Sequence, residues 1–139
     1  MSVQTLQTAA EKISVSMASR PEVLAAYIFG STASGRARPD SDIDVAILLD
    51  SAFVERLPLK YRTDLIAEAG GALETFDVDV VLLNLAPAAL VYNVITKGKL
   101  VYERSRSARV AFQIRSLNLF LDLEPLHRVR LHYLKQRYL

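Results

Sequence analysis

Two short stretches of this chain set aspartates against β-branched residues in strict alternation: Asp42-Ile43-Asp44-Val45 and Asp77-Val78-Asp79-Val80. Successive side chains of a strand point to opposite faces, so Asp42 and Asp44 share one face of their strand, and Asp77 and Asp79 share one face of theirs. The two acids of each pair lie about 6–7 Å apart along the backbone, from the ~3.3 Å rise per residue. Aspartate is a poor strand residue, and like charges held close disfavour each other's ionisation. If the two strands are neighbours, three or four carboxylates gather on one face of a sheet whose other face is apolar. Such a face calls for a cation to offset it.

The rest of the chain supplies helices to cover that sheet. Leu6, Ala9, Ala10, Ile13 and Met17 recur at helical spacing, which predicts a helix over Val3–Ala18 ended by Pro21. Val23–Phe29 is dense in apolar and aromatic residues and reads as a buried strand closed by Gly30-Ser31. A short helical piece is expected over 32–38, with turn chemistry at Arg38-Pro39-Asp40-Ser41. Further strands are expected over 42–49 and 76–83, with a helix over 58–73 between them. A helix over 87–96 stopped by Gly98 and a short edge strand over 100–102 follow. Two more helices are expected over 107–123 and 126–138, parted by Pro125. This order predicts an α/β (α+β) fold, a small mixed β-sheet flanked by helices. One domain spanning 1–139 is expected, with a C-terminal helical tail over about 104–139.

Composition narrows the setting. There is no cysteine, which excludes disulfides and thiolate metal sites. The N-terminal stretch lacks the basic start and unbroken apolar run of a signal peptide, and no apolar stretch is long enough to span a bilayer. A cytoplasmic protein without membrane contact is the expectation. Charge is uneven: residues 1–96 carry 7 Lys/Arg against 12 Asp/Glu, a net −5, whereas 97–139 carry 10 against 3, a net +7. A basic last third suits an anionic partner or a solvated helix face. No RNA-binding motif accompanies it and aromatics are not interleaved, so direct nucleic-acid binding is not expected. His127 and His132 lie five apart, which does not place them on one helical face, and no carboxylate pattern joins them.

Asp-x-Asp at a strand start is also what a capping turn with a solvated face looks like, and a lone Gly-Ser is nearly uninformative. Their combination is more specific. A buried strand runs into Gly30-Ser31, ten residues intervene, Asp42-x-Asp44 opens a second strand, and a later strand carries Asp77-x-Asp79. Glycine lets the backbone approach a phosphate closely. Successive N–H groups at such a turn form an anion-binding concavity, and the Ser hydroxyl adds a donor. A phosphate cradle thus stands beside a carboxylate cluster. Oxygen-only ligands favour Mg²⁺ or Mn²⁺, and the absence of His or Cys nearby in sequence argues against zinc.

These residues resemble the signature of the polymerase-β-type nucleotidyltransferases, and most closely the minimal (MNT) group. The resemblance rests on Tyr27-Ile28-Phe29-Gly30-Ser31, Ser41-Asp42-Ile43-Asp44-Val45-Ala46 and Asp77-Val78-Asp79-Val80-Val81. It extends to Gly35, Arg38-Pro39-Asp40, Asn84-Leu85-Ala86, Val94-Ile95-Thr96-Lys97-Gly98 and Phe120-Leu121-Asp122-Leu123. Within the group it points to the MntA-like antitoxins encoded beside HEPN ribonuclease toxins. The resemblance implies that Gly30 and Ser31 hold the β- and γ-phosphates of ATP. Asp42 and Asp44 would coordinate two Mg²⁺ (or Mn²⁺) ions. Asp79 would be the third carboxylate, ligating the metal nearest the acceptor and helping to deprotonate the attacking hydroxyl, with Asp77 a solvated neighbour. Many relatives carry an Arg just after Gly-Ser. Here Thr32, Ala33 and Ser34 stand there, and Arg36 and Arg38 would supply phosphate contacts instead.

The activity implied is transfer of AMP from ATP to a tyrosine of a cognate HEPN toxin, which neutralises the toxin. A chain of 139 residues has little room for a separate acceptor-binding domain, which suits a macromolecular acceptor. The apolar and basic C-terminal helices, with Phe112, Leu119, Phe120 and Leu123, could serve a toxin–antitoxin hetero-oligomer, a homodimer or the core. A small-molecule nucleotidyltransferase and a non-catalytic antitoxin that acts by binding alone are the alternatives.

Overall fold

A computed structural model describes residues 3–30 and 42–138, with side chains described over 5–30 and 42–122. The elements run α1 (Val3–Ala18), β1 (Val23–Phe29), β2 (Ile43–Leu49), α2 (Ser51–Val54), α3 (Tyr61–Leu73) and β3 (Val78–Leu82). A 3₁₀ turn (Leu83–Leu85) then leads to α4 (Ala88–Lys97), β4 (Lys99–Glu103) and α5 (Arg106–Tyr138). The expected pieces over 32–38 and 38–41 lie outside the described residues.

The four strands form one mixed sheet in the order β3-β2-β1-β4. β1 pairs antiparallel with both β2 and β4, whereas β2 and β3 run parallel. A parallel pair needs a long crossover, which α2 and α3 provide. Alternation divides the core by faces. Ile43, Val45, Ile47, Val78 and Val80 join Ile13 and Met17 of α1 and Tyr61, Leu65 and Ala69 of α3. Ala25, Tyr27, Phe29, Ala46 and Leu48 join Val91 and Val94 of α4, with Phe112 of α5 packed against them. Val23 nevertheless belongs to the first group and Ala25 to the second, because a register shift between them re-phases β1.

Four sequence expectations need adjustment. The helix expected from residue 58 begins at Tyr61, whose N–H first closes a turn onto the Pro58 carbonyl at 3.1 Å. The strand expected from residue 76 begins at Val78, because the Thr75 hydroxyl takes the Asp77 N–H at 3.1 Å and leaves Phe76 fully exposed. Helix α2 was not anticipated. It is one turn held by the Asp50 carboxylate, which accepts from the Ala52 N–H at 2.8 Å. The two expected C-terminal helices are one, running through Pro125. A proline there forfeits one backbone hydrogen bond, and helices carry such residues as kinks.

The 33 residues of α5 span about 50 Å at 1.5 Å per residue. Its first turns are anchored: Gln113 Nε2 donates to the Tyr27 hydroxyl at 2.8 Å, and Phe120 stacks on Tyr92 with ring centroids 4.2 Å apart. Val110, Ile114, Leu119 and Leu121 on the same helix are exposed. Among the described residues no helix is long and apolar enough to cross a membrane.

Asn84 locks the far end of β2. Its amide nitrogen donates to the Leu49 carbonyl and its amide oxygen accepts from the Leu49 N–H, each at 2.9 Å. Asn84→Ala should lower unfolding free energy by about 1–2 kcal/mol, the worth of two part-buried hydrogen bonds, as read by urea denaturation.

Candidate active site

The strand pairings decide which acids meet. β1 ends where β2 and β3 begin, so three strand termini lie together at one end of the sheet. Phe29 pairs with Asp44 across the antiparallel pair, and Asp44 pairs with Asp79 across the parallel pair. Both aspartates occupy the face of Ala46 and Leu48, because Ile43, Val45, Val78 and Val80 fill the opposite one. Asp42 sits one residue before β2 and is exposed, whereas Asp44 and Asp79 are half-buried. Asp77 is exposed ahead of β3, and its carbonyl accepts from the Ile43 N–H at 2.8 Å.

The acids feel one another. The Asp44 carboxyl is pushed above the usual carboxylate range, first by burial, then by the charge of Asp79, then by that of Asp42. Gly30 closes the site from the β1 side. Its φ of +76° is a left-handed conformation that side chains rarely adopt, and a Cβ there would stand 2.5 Å from Asp44 Oδ2. A side chain at this position would be strained and would have to displace the Asp44 carboxylate. Ser31, Arg36 and Arg38 lie outside the described residues.

Asp79 has a partner that the sequence reading did not single out. Its Oδ1 accepts from Arg62 Nη2 at 2.6 Å and from the Val80 N–H at 3.0 Å, while Arg62 Nε donates to the Val80 carbonyl at 2.7 Å. Arg62 is the second residue of α3, and no motif marks it. Its place follows from the crossover that lays α3 beside β3.

Among the described residues, no three His, Cys, Asp or Glu side chains close on a single point as they stand; Asp79 is drawn to Arg62. The donor chemistry still fits a hard divalent cation. Asp42, Asp44 and Asp79 offer only oxygen, the donor set that Mg²⁺ and Mn²⁺ prefer.

Two outcomes follow for the metal-free protein. The folded-state value of Asp44 is raised, so the site's contribution to stability is full below the unfolded carboxylate range and is lost as pH rises through the folded value. Asp44→Asn should therefore melt higher than the wild type near neutral pH without divalent ions, with the gap closing on acidification. An equal gap at all pH values would contradict the raised Asp44 carboxyl. Gly30→Ala should lower stability by at least about 1–2 kcal/mol, the cost of a left-handed non-glycine residue, measured by denaturant titration.

The family described as polymerase beta, nucleotidyltransferase matches residues 11–107. A protein adenylyltransferase, MntA of Shewanella oneidensis strain MR-1, is 29% identical over 104 residues, covering 75% of this chain and 70% of the relative. A crystal structure of a toxin–antitoxin with AMP-PNP is similar at a TM-score of 0.75 and 26% identity, over 91% of this chain and 98% of that one. The toxin–antitoxin MntA-HepT crystal structure shares the fold at a TM-score of 0.70 and 24% identity, over 93% and 98% of the two chains. The match over residues 11–107 runs from α1 into α5 and takes in every strand of the sheet, so the chain belongs to the polymerase beta nucleotidyltransferase family.

Proposed function

We propose that this chain is a protein adenylyltransferase antitoxin, transferring AMP from ATP to a tyrosine hydroxyl of a partner HEPN ribonuclease toxin and thereby neutralising it. The observation that carries the reading is the pairing of Asp44 with Asp79 on one face, with Gly30 against the Asp44 carboxylate. The similarity to the Shewanella adenylyltransferase MntA, and to a toxin–antitoxin structure with AMP-PNP, supports the choice of ATP and of a protein acceptor.

In this reading the turn at Gly30-Ser31 seats the β- and γ-phosphates, with Arg36 and Arg38 as further phosphate contacts. Asp42, Asp44 and Asp79 hold two Mg²⁺ or Mn²⁺ ions, which when bound would offset charge on the entering and leaving oxygens. The tyrosine oxygen attacks the α-phosphorus in line. A new O–P bond forms, the bond to the α–β bridging oxygen breaks, and pyrophosphate leaves. Asp79 takes the phenolic proton. Positioning and charge stabilisation supply the rate, and no covalent enzyme intermediate is needed. The exposed Val110, Ile114 and Leu121, which recur on one face of α5, give the partner an apolar surface, on a basic segment.

Incubating the partner with this chain, Mg²⁺ and each NTP in turn, and reading intact mass, tests the proposal. ATP should add one or more AMP units to the partner. Asp42→Ala and Asp44→Ala should each cut that transfer on the order of 10²-fold or more, as expected when a main source of transition-state charge stabilisation is removed. No mass change with any NTP, while the two proteins still bind, would replace this reading with one of binding alone.

A further inference from the structure

We infer that Arg62 is a positioning residue for the third carboxylate: it fixes Asp79 through Oδ1 and leaves Oδ2 as the oxygen that meets a divalent cation. The inference rests on the proposed role of Asp79 in the metal site.

Three hydrogen bonds carry it. The Arg62 guanidinium spans two acceptors, the Val80 carbonyl from Nε at 2.7 Å and Asp79 Oδ1 from Nη2 at 2.6 Å, and the Val80 N–H closes the ring by donating to the same Oδ1 at 3.0 Å. Both contacts to the Asp79 side chain thus converge on one oxygen. The guanidinium is itself anchored to backbone, so it holds its place whether or not Asp79 turns. Both side chains of the ion pair are about half exposed, at 52% and 47%, and an ion pair so open to solvent contributes little to stability. What the arrangement supplies is direction. Among the described residues β3 is an edge strand, paired with β2 alone, so none of them lies beyond it in the sheet to hold the Asp79 rotamer. Arg62 reaches that edge from α3 and does so. A planar fork is needed to span a backbone carbonyl and a carboxylate at once; the compact ammonium of lysine cannot reproduce it.

Arg62→Gln and Arg62→Lys in the full chain test this, with Asp79→Asn alongside. The readouts are Mn²⁺ binding followed by electron paramagnetic resonance with a non-hydrolysable ATP analogue, steady-state transfer, and thermal melting to confirm folding. Removing the hydrogen-bond partner of a ligating carboxylate typically costs 10–100-fold in metal affinity or activity. Arg62→Gln should accordingly weaken Mn²⁺ binding and lower kcat by roughly tenfold or more, with the KM for ATP nearly unchanged, and Arg62→Lys should restore little of either. Tighter Mn²⁺ binding in Arg62→Gln would make Arg62 a competitor for the carboxylate and overturn the inference. Full rescue by Arg62→Lys would reduce it to charge alone, and a fall in melting temperature without change in Mn²⁺ binding would reduce it to edge protection; either overturns it. Asp79→Asn with wild-type Mn²⁺ binding would remove its premise. If the wild type binds Mn²⁺ through Asp79 yet transfers nothing to the partner, the proposed function fails while the Mn²⁺ measurements still decide the role of Arg62.

Discussion

Parallel pairing of β2 with β3 sets Asp44 directly beside Asp79, and the rest of the site depends on that adjacency. Both carboxylates are half-buried; burial lifts the Asp44 carboxyl, and the charge of Asp79 on the neighbouring strand lifts it further. A fold does not hold such an arrangement for its own stability. It is held here because the opposite face is firmly committed: Ile43, Val45, Val78 and Val80 are drawn into the core under α1 and α3. A one-residue slip in either strand would take its valines out of that core and put its aspartates into it. The apolar face thus fixes the position of the acidic one.

Further features act on the same small volume. Gly30 lets β1 turn away within contact of Asp44, where a side chain would collide with the carboxylate. Arg62 approaches from α3 and sets Asp79 from the edge side. The site is therefore assembled from the ends of β1, β2 and β3 and the first turn of the crossover helix. Asp44 and Asp79 stand on regular strands, whose geometry is stiffer than a loop's, and the Gly30 turn is joined directly to β1 beside them. This suits a reaction in which placing charge and aligning groups matter more than any covalent chemistry by the protein.

Much of this was legible in the sequence because period-two alternation fixes which residues share a face. The bounds of α1 and β1 follow from helical spacing and from a continuous apolar run. Alternation also placed Asp42 and Asp44 together and apart from Ile43 and Val45. What it could not supply was the pairing: nothing local in Asp77-Val78-Asp79 says that Asp79 rather than Asp77 lies beside Asp44, and only the family resemblance favoured it. Arg62 was invisible for the same reason, since its partners lie 17 and 18 residues away across the crossover. Helix α2 escaped because one turn has no periodicity to read, and the break expected at Pro125 overweighted a single lost hydrogen bond against the helix on either side.

The central claim is that Asp42, Asp44 and Asp79 act together as ligands beside the Gly30 turn. Anomalous scattering from crystals grown with Mn²⁺ and a non-hydrolysable ATP analogue tests it most directly. The account predicts manganese peaks within coordination distance of all three carboxylates, with the triphosphate against the turn that follows β1. Manganese elsewhere on the surface, with Asp44 and Asp79 unligated beside a bound nucleotide, would contradict it.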